Sequence, residues 1–391
     1  MTFANVSAVL FYACVLALLF SPRFRSFAMP HLSMPGSSTK QNFAALDGFR
    51  GLAALLVALN HLWQFPRTVF DSVQVNMQFI ALGSKAVPIF CVLSGFLIYR
   101  SARNVVDVQG LRRYFKRRFL RIYPIYIAST LALFVLGRNP DILPEVFMLR
   151  VFGYPTFSNP VTWSLYVEVA FYLLAPIFVF LAGRRALLLS FIAFFVLLVT
   201  DSVGGRELWL WKFFFLGIAA SEIYDRIRFT EFRAFVVAMA GFALIVIDFH
   251  GRNWGHLLIN TSGTYTLGLA AGVMLALSGT LQSKAISRLF SVTPLRVLGA
   301  ISYSLFLMHP IYIILQFPEI DFAKIGVELQ IHDKQHSWRT FFLAYLPGLL
   351  FWASLTFAFI ERPFLRWKSR DRLREDMKVA AAQSPVEQQR G

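Results

Sequence analysis

Eleven runs of predominantly apolar residues follow one another along the chain, at about 4–20, 46–65, 79–99, 122–137, 161–181, 186–200, 208–222, 234–249, 263–279, 297–316 and 340–360. A hydrocarbon core about 30 Å thick takes roughly 20 helical residues to cross, and inside it every backbone N–H and C=O must be satisfied within the segment or by a neighbour. The runs therefore predict an all-α fold, a polytopic integral membrane helical bundle with about eleven transmembrane helices. Composition agrees, since 57% of the 391 residues are hydrophobic, only 15% are charged, and the mean hydropathy is +0.58.

The net charge of +17 invites a nucleic-acid reading until the basic residues are mapped onto the runs. With the N-terminus outside, the segments assigned to the cytoplasm carry 27 of the 38 Lys and Arg and the opposite segments carry 8; Arg50, Lys85 and Lys212 lie within spans. This bias follows the positive-inside rule, orients the chain with its C-terminus in the cytoplasm, and accounts for the charge with membrane lipids and no nucleic acid. Both cysteines, Cys14 and Cys91, lie in apolar runs. Neither a disulfide framework nor a Cys-based metal site is indicated, and no metal is expected.

Three regions follow. Residues 1–41 form a transmembrane anchor and linker: the first run lacks a basic leader, Arg23 and Arg25 follow it, and Pro30, Pro35 and GSSTK come before the main body. Residues 42–364 form the body. Residues 365–391 form a basic cytoplasmic tail whose end, VAAAQSPVEQQRG, is expected to lack fixed structure. No internal repeat of the inverted-transporter kind is seen.

Within LDGFRGLAALLVALNHLWQF, Arg50 and His61 lie eleven positions apart, about three helical turns, so they share a helix face while differing by about 16 Å in depth. Counting from the helix ends puts His61, Lys85, Glu168 and His309 in the outer half of the membrane, on four different helices. Ionisable groups at such depth are costly and mark a functional site. Each also has a plainer reading. His309 precedes Pro310 and can satisfy carbonyls that the proline frees, Lys85 can snorkel or pair with Glu168, Glu168 can be only an ion-pair partner, and Lys212 snorkels. A second cluster, Arg112, Arg113, Lys116, Arg117, Arg118 and Arg121, is interleaved with apolar residues. It reads first as an interfacial helix on anionic lipid and second as a site for a phosphorylated ligand. Together the clusters frame a path for a long ligand whose charged head stays cytoplasmic while its reactive end reaches across.

LDGFRGLAALLVALNH is followed in order by PIFCVLSGFLIY, RRFLRIYPIY, WSLYVEVAFYLLAP, ISYSLFLMHP and ERPF. Over residues 46–364 the chain resembles the membrane-bound acyltransferase 3 family, which O-acylates cell-surface carbohydrates and some other acceptors. The resemblance implies a ten-helix body, to which the helix at 4–20 adds an eleventh. It carries the family's Arg-x10-His motif onto Arg50 and His61, its Arg-x-x-Arg motif onto Arg118 and Arg121, and its Trp-Ser-Leu-x-x-Glu motif onto Trp163, Ser164 and Glu168. Many members have a second acidic residue after that glutamate; Val169 stands there here.

The implied donor is acyl-CoA, most often acetyl-CoA, bound from the cytoplasm. His61 becomes the main catalytic candidate, either removing a proton from the acceptor hydroxyl or carrying the acyl group itself, and both routes stay open. Glu168 is a candidate for orienting His61 or binding the acceptor, and His309 for assisting proton transfer. Arg50, Arg118 and Arg121 are candidates for holding the donor, and Trp163, Ser164 and Lys85 for contacting substrate. The expected protein is thus an O-acetyltransferase of a bacterial inner membrane acting on an exopolysaccharide, lipopolysaccharide or oligosaccharide hydroxyl. The alternative is a transporter or flippase for an anionic or lipid-linked saccharide. The sequence sets no oligomeric state.

Overall fold

The computed structural model describes residues 3–33, 44–64, 82–138, 142–152, 159–200, 210–250, 260–261, 265–318 and 338–367. The expected linker near residues 34–41 and the expected disordered end lie outside these residues. The described elements are α1 (Phe3–Phe20), α2 (Pro22–Leu32), α3 (Ala44–Gln64), α4 (Ala86–Ala102), α5 (Val108–Val135), α6 (Ile142–Val146), α7 (Thr162–Ala182), α8 (Ala186–Val199), α9 (Trp211–Arg226), α10 (Glu231–His250), α11 (Leu267–Gln282), α12 (Lys284–Phe290), α13 (Thr293–Ala300), α14 (Ser302–Gln316) and α15 (Leu346–Thr356). Short 3-10 turns precede α4 and follow α6, π-helical turns flank α15, and a two-residue antiparallel pair, Asn260–Thr261 with Tyr265–Thr266, leads into α11.

The described residues of the eleven apolar runs are almost all helical, with Tyr265–Thr266 of the run at 263–279 in the strand pair and the run at 297–316 divided between α13 and α14. Among the described residues, five helical stretches are long and apolar enough to cross a membrane: Phe3–Phe20, Val108–Val135, Thr162–Val199, Glu231–Phe249 and Phe341–Trp367. Two bent pairs raise the number to seven: α11 with α12, bent by 100°, and α13 with α14, bent by 66°. This is an integral membrane protein of five to seven candidate spans, fewer than the eleven expected. The shortfall has simple causes: α4 has 17 residues and α9 has 16, both under the usual spanning length, while α3 carries Asp47 and Arg50 inside its apolar run.

Between lipid-facing helices the hydrophobic effect gives little net attraction, so association relies on close packing of small residues. The placement of α3, which carries two candidate site residues, shows this directly. A Cβ on Gly51 would lie 2.4 Å from the backbone nitrogen of Gly299 in α13, and one on Gly299 would lie 2.0 Å from the carbonyl oxygen of Asp47. Only hydrogen atoms fit at this crossing. Farther along, α4 packs on α9 and α7, and Phe171 of α7 stacks on Phe214 of α9 with ring centroids 4.4 Å apart, an arrangement that adds roughly 1 kcal/mol beyond the contact area. At the other side of the bundle α1 packs along α15, its Trp352 donating to Ser7 Oγ at 3.0 Å.

Helix α5 begins where Asp107 caps it, its side chain accepting from the Gly110 N–H at 2.6 Å. It then runs unbroken for 28 residues, about 42 Å at helical rise, through Pro124. The basic cluster and the following apolar run are therefore one rod. The head of α7 is tied to α14 by Asn159, whose Nδ2 donates to the Leu307 carbonyl at 2.9 Å.

Candidate active site

Five helices, α3, α4, α5, α7 and α14, converge with Phe214 of α9 on one cavity. Three arginines reach it: Arg50 from α3, and Arg118 and Arg121 from α5, the last two spaced to share one helix face. Arg50 is buried and has Asp47 3.8 Å away. Arg118 lies between two rings, its guanidinium carbon 5.3 Å from the centroid of Tyr114 and 5.2 Å from that of Tyr172. Its Nε is buried with no hydrogen-bond partner among the described residues. Arg121 sits 5.5 Å over the ring of Tyr303. An orphaned guanidinium N–H beside two more arginines suits a multiply charged oxyanion, since guanidinium forks match phosphate geometry.

Glu168 is the carboxylate in the wall of this cavity, with Asp47 beside Arg50 and the buried Glu361 near Arg121 outside the wall. Glu168 Oε1 accepts from Ser94 Oγ at 2.7 Å and from the Tyr172 hydroxyl at 2.5 Å, and Oε2 accepts from the Tyr303 hydroxyl at 2.6 Å. Glu168 is thus bound by three hydroxyls on three helices, and His61 is not among its partners. This corrects two expectations. The carboxylate does not share the setting of His61, and Lys85 does not pair with it. Lys85 instead meets Asp248 of α10, Nζ to Oδ2 at 3.5 Å, with both side chains buried. Counting residues from helix ends leaves partners across helices undetermined, and Glu168 lines the same cavity as Arg50.

The rest of the basic cluster divides around the rod. Arg112 and Lys116 are exposed, Lys116 lies over the ring of Trp367, and Arg113 lies 3.9 Å from Asp107. Ser164 lines the cavity and donates to the Val161 carbonyl at 3.2 Å; Trp163 packs against the core and is not in the cavity wall. Cys91, Ser94, Tyr172 and Tyr303 belong to the cavity wall and were not singled out from sequence. Tyr172 was within reach, lying four residues after Glu168 on one face. Tyr303 gave no such signal, because its partner is on another helix.

The histidines form a second centre. His61 Nδ1 and His309 Nε2 are 2.7 Å apart, with the rings stacked at a centroid distance of 5.0 Å. His309 is fully buried, and its Nδ1 lies 3.1 Å from the Leu305 carbonyl, with the Phe306 carbonyl also facing the ring. Pro310 lacks the N–H that would have bonded the Phe306 carbonyl in a regular helix. The ring thus sits against the freed carbonyl while its other nitrogen meets His61.

This pattern assigns the protons. A carbonyl only accepts, so His309 Nδ1 carries hydrogen, and the Nε2 of a neutral ring is then an acceptor. His61 Nδ1–H donates to it, which leaves Nε2 as the unprotonated nitrogen of His61. That atom can accept a proton or attack a carbonyl.

Arg50 of the arginine-lined cavity and His61 of the histidine pair thus lie on one helix of this membrane helical bundle. Comparison with known families gives the class: residues 43–360 match the acyltransferase domain of the acyltransferase 3 family, and the chain belongs to that family. It is 32% identical over 158 residues to acyltransferase MdmB of Streptomyces mycarofaciens, covering 34% of this chain and 38% of that protein. It is 24% identical over 383 residues to peptidoglycan O-acetyltransferase OatA of Listeria monocytogenes, covering 82% of this chain and 55% of that protein. The chain therefore spans about half or less of the length of these relatives. No solved structure matches it significantly.

Proposed function

We propose that the protein is an integral membrane O-acyltransferase that moves an acetyl group from acetyl-CoA, bound from the cytoplasm, to a hydroxyl of a cell-surface or exported carbohydrate. In this reading the chain crosses a bacterial inner membrane about eleven times, with its N-terminus outside, its C-terminus in the cytoplasm, and residues 42–364 as the catalytic body. The observation that carries the reading is the pairing of two sites on α3: Arg50 in an arginine-lined cavity and, eleven residues on, His61 bonded to His309. The Listeria relative, named for O-acetylation of peptidoglycan, supports a carbohydrate acceptor.

The chemistry follows from the tautomers. The acceptor oxygen forms a bond to the thioester carbonyl carbon as its proton passes to His61 Nε2. The carbon–sulfur bond then breaks, and the departing thiolate takes that proton to leave as free CoA. While His61 is cationic, its Nδ1–H bond to His309 becomes charge-assisted, a gain of about 1.5–3 kcal/mol over water for bonds of this type. The alternative route, with the acyl group carried on His61, uses the same Nε2 lone pair. Arg118 and Arg121 hold donor phosphates, Arg50 holds donor phosphate or developing oxyanion charge, and Ser164 and Trp163 of the motif are assigned to substrate contact.

Purified protein in detergent, given radiolabelled acetyl-CoA and a surface glycan extract, is expected to release free CoA and label the glycan. His61→Ala is expected to abolish both. Labelled saccharide moved across a vesicle membrane without CoA release would replace this reading with that of a carrier.

A further inference from the structure

We propose that Glu168, Tyr172 and Tyr303 form a clasp that positions the two α5 arginines for the donor's phosphates, so that Glu168 is a positioning residue and not the partner of His61. The inference rests on the donor reading above and assigns roles to two tyrosines that the sequence did not single out.

The geometry is closed at every link. Glu168 has one carboxylate with two oxygens, and three hydroxyls occupy them: Ser94 and Tyr172 on Oε1, Tyr303 on Oε2, at 2.7, 2.5 and 2.6 Å. The two phenols are the far ends of the rings on which the arginines lie, Tyr172 beneath Arg118 and Tyr303 beneath Arg121. Holding each hydroxyl holds the axis of its ring, which keeps the ring seated against the guanidinium above it. Tyr114 closes the other side of Arg118 and ties back to α7 by donating to the Tyr172 carbonyl at 3.1 Å.

The electrostatics point the same way. Three arginines without a carboxylate would repel one another across the cavity, whereas a carboxylate bonded directly to them would neutralise the charge a phosphate needs. Here Glu168 is bound to hydroxyls, so it tempers the field of the α5 arginines while Asp47 stands beside Arg50, and the buried Arg118 Nε has no hydrogen-bond partner among the described residues. Phosphate recognition by arginine depends on bidentate geometry, and loss of orientation therefore weakens it even when charge is unchanged.

The test measures equilibrium binding of acetyl-CoA and, separately, of inorganic pyrophosphate to the full chain in detergent, by calorimetry. Tyr172→Phe and Tyr303→Phe keep each ring and remove one hydroxyl. Each is expected to raise both dissociation constants about tenfold, the size of one hydrogen bond to a charged group, with the thermal midpoint of the ligand-free protein little changed. Glu168→Gln is expected to act at least as strongly; should it not fold, the double Tyr→Phe variant replaces it. Acetyl-CoA binding at wild-type strength in both Tyr→Phe variants overturns the clasp. Wild-type protein that binds pyrophosphate but not acetyl-CoA overturns the donor reading and leaves the clasp to be judged on pyrophosphate, and binding of neither overturns both. Weakened binding that tracks a lower thermal midpoint in each variant assigns these residues to the fold alone and also overturns the clasp.

Discussion

Replacing His309 by glutamine, asparagine and phenylalanine separates what this ring does for His61 from what it does for its own helix. The glutamine carboxamide reaches about where Nε2 lies in the native ring and can accept from His61 Nδ1–H. Asparagine stops near the Nδ1 position and can still reach the Leu305 carbonyl, and phenylalanine fills the space with no polar atom. The bond at stake is the 2.7 Å contact between the histidines, which becomes a bond to a cation as the proton arrives. At about 1.5–3 kcal/mol, its loss corresponds to a slowing of about 10- to 150-fold. Removing His61 itself deletes the base, worth about 10²–10⁴-fold. Release of free CoA from acetyl-CoA at saturating acceptor is therefore expected to fall in the order wild type, His309→Gln, His309→Asn with His309→Phe, and last His61→Ala. Glutamine should stay within about tenfold of wild type. Wild-type turnover by the phenylalanine variant, or a well-folded glutamine variant as slow as His61→Ala, would refute the tautomer argument.

Other expectations follow from the same contacts. Lys85→Met leaves the buried carboxylate of Asp248 uncompensated and should cost about 3–5 kcal/mol in mixed-micelle unfolding, most of it recovered by adding Asp248→Leu. If that double variant is stable but inactive, Lys85 contacts substrate; if it is stable and active, the pair only supports the fold. Gly51→Val should cost at least about 1–3 kcal/mol and broaden the monodisperse peak in size-exclusion chromatography, because its first side-chain carbon would collide with α13. Arg118→Lys keeps the charge but loses the planar fork, and should weaken acetyl-CoA binding measured by calorimetry at least fivefold. Full affinity in that variant would mean the site reads charge alone.

Much of this was legible in the sequence because lipid leaves the backbone few options: an apolar run long enough to cross must be helical, and the described parts of these runs are almost all helix. The motifs likewise named Arg50, Arg118, Arg121, Glu168, His61 and His309 before any geometry. Partner choice between helices was not legible. Lys85 lies at a depth that allows Glu168, but it meets Asp248, a residue with no local sequence mark. The basic cluster reads as lipid-facing until α5 proves continuous, which puts two of its arginines inside the bundle and leaves others at the surface. Pro310 carried the clearest signal beyond the motifs, since a proline must free a carbonyl four residues back. Which ring would claim that carbonyl, and what its other nitrogen would meet, required the third dimension.

Helix α3 has one more property, which belongs to its length. It holds Arg50 and His61 on one continuous helix, so the interval between them is set by backbone rise and not by any hinge. On the proposed donor path the helix is a ruler: a ligand is measured by whether its anionic end and its thioester span that interval together. Inserting one alanine after Leu55 would rotate the two marks by about 100° and part them by about 1.5 Å, whereas seven inserted residues would nearly restore the angle and lengthen the scale by about 10 Å. Donor selection by chain length is, in this light, written into the count of residues between Arg50 and His61.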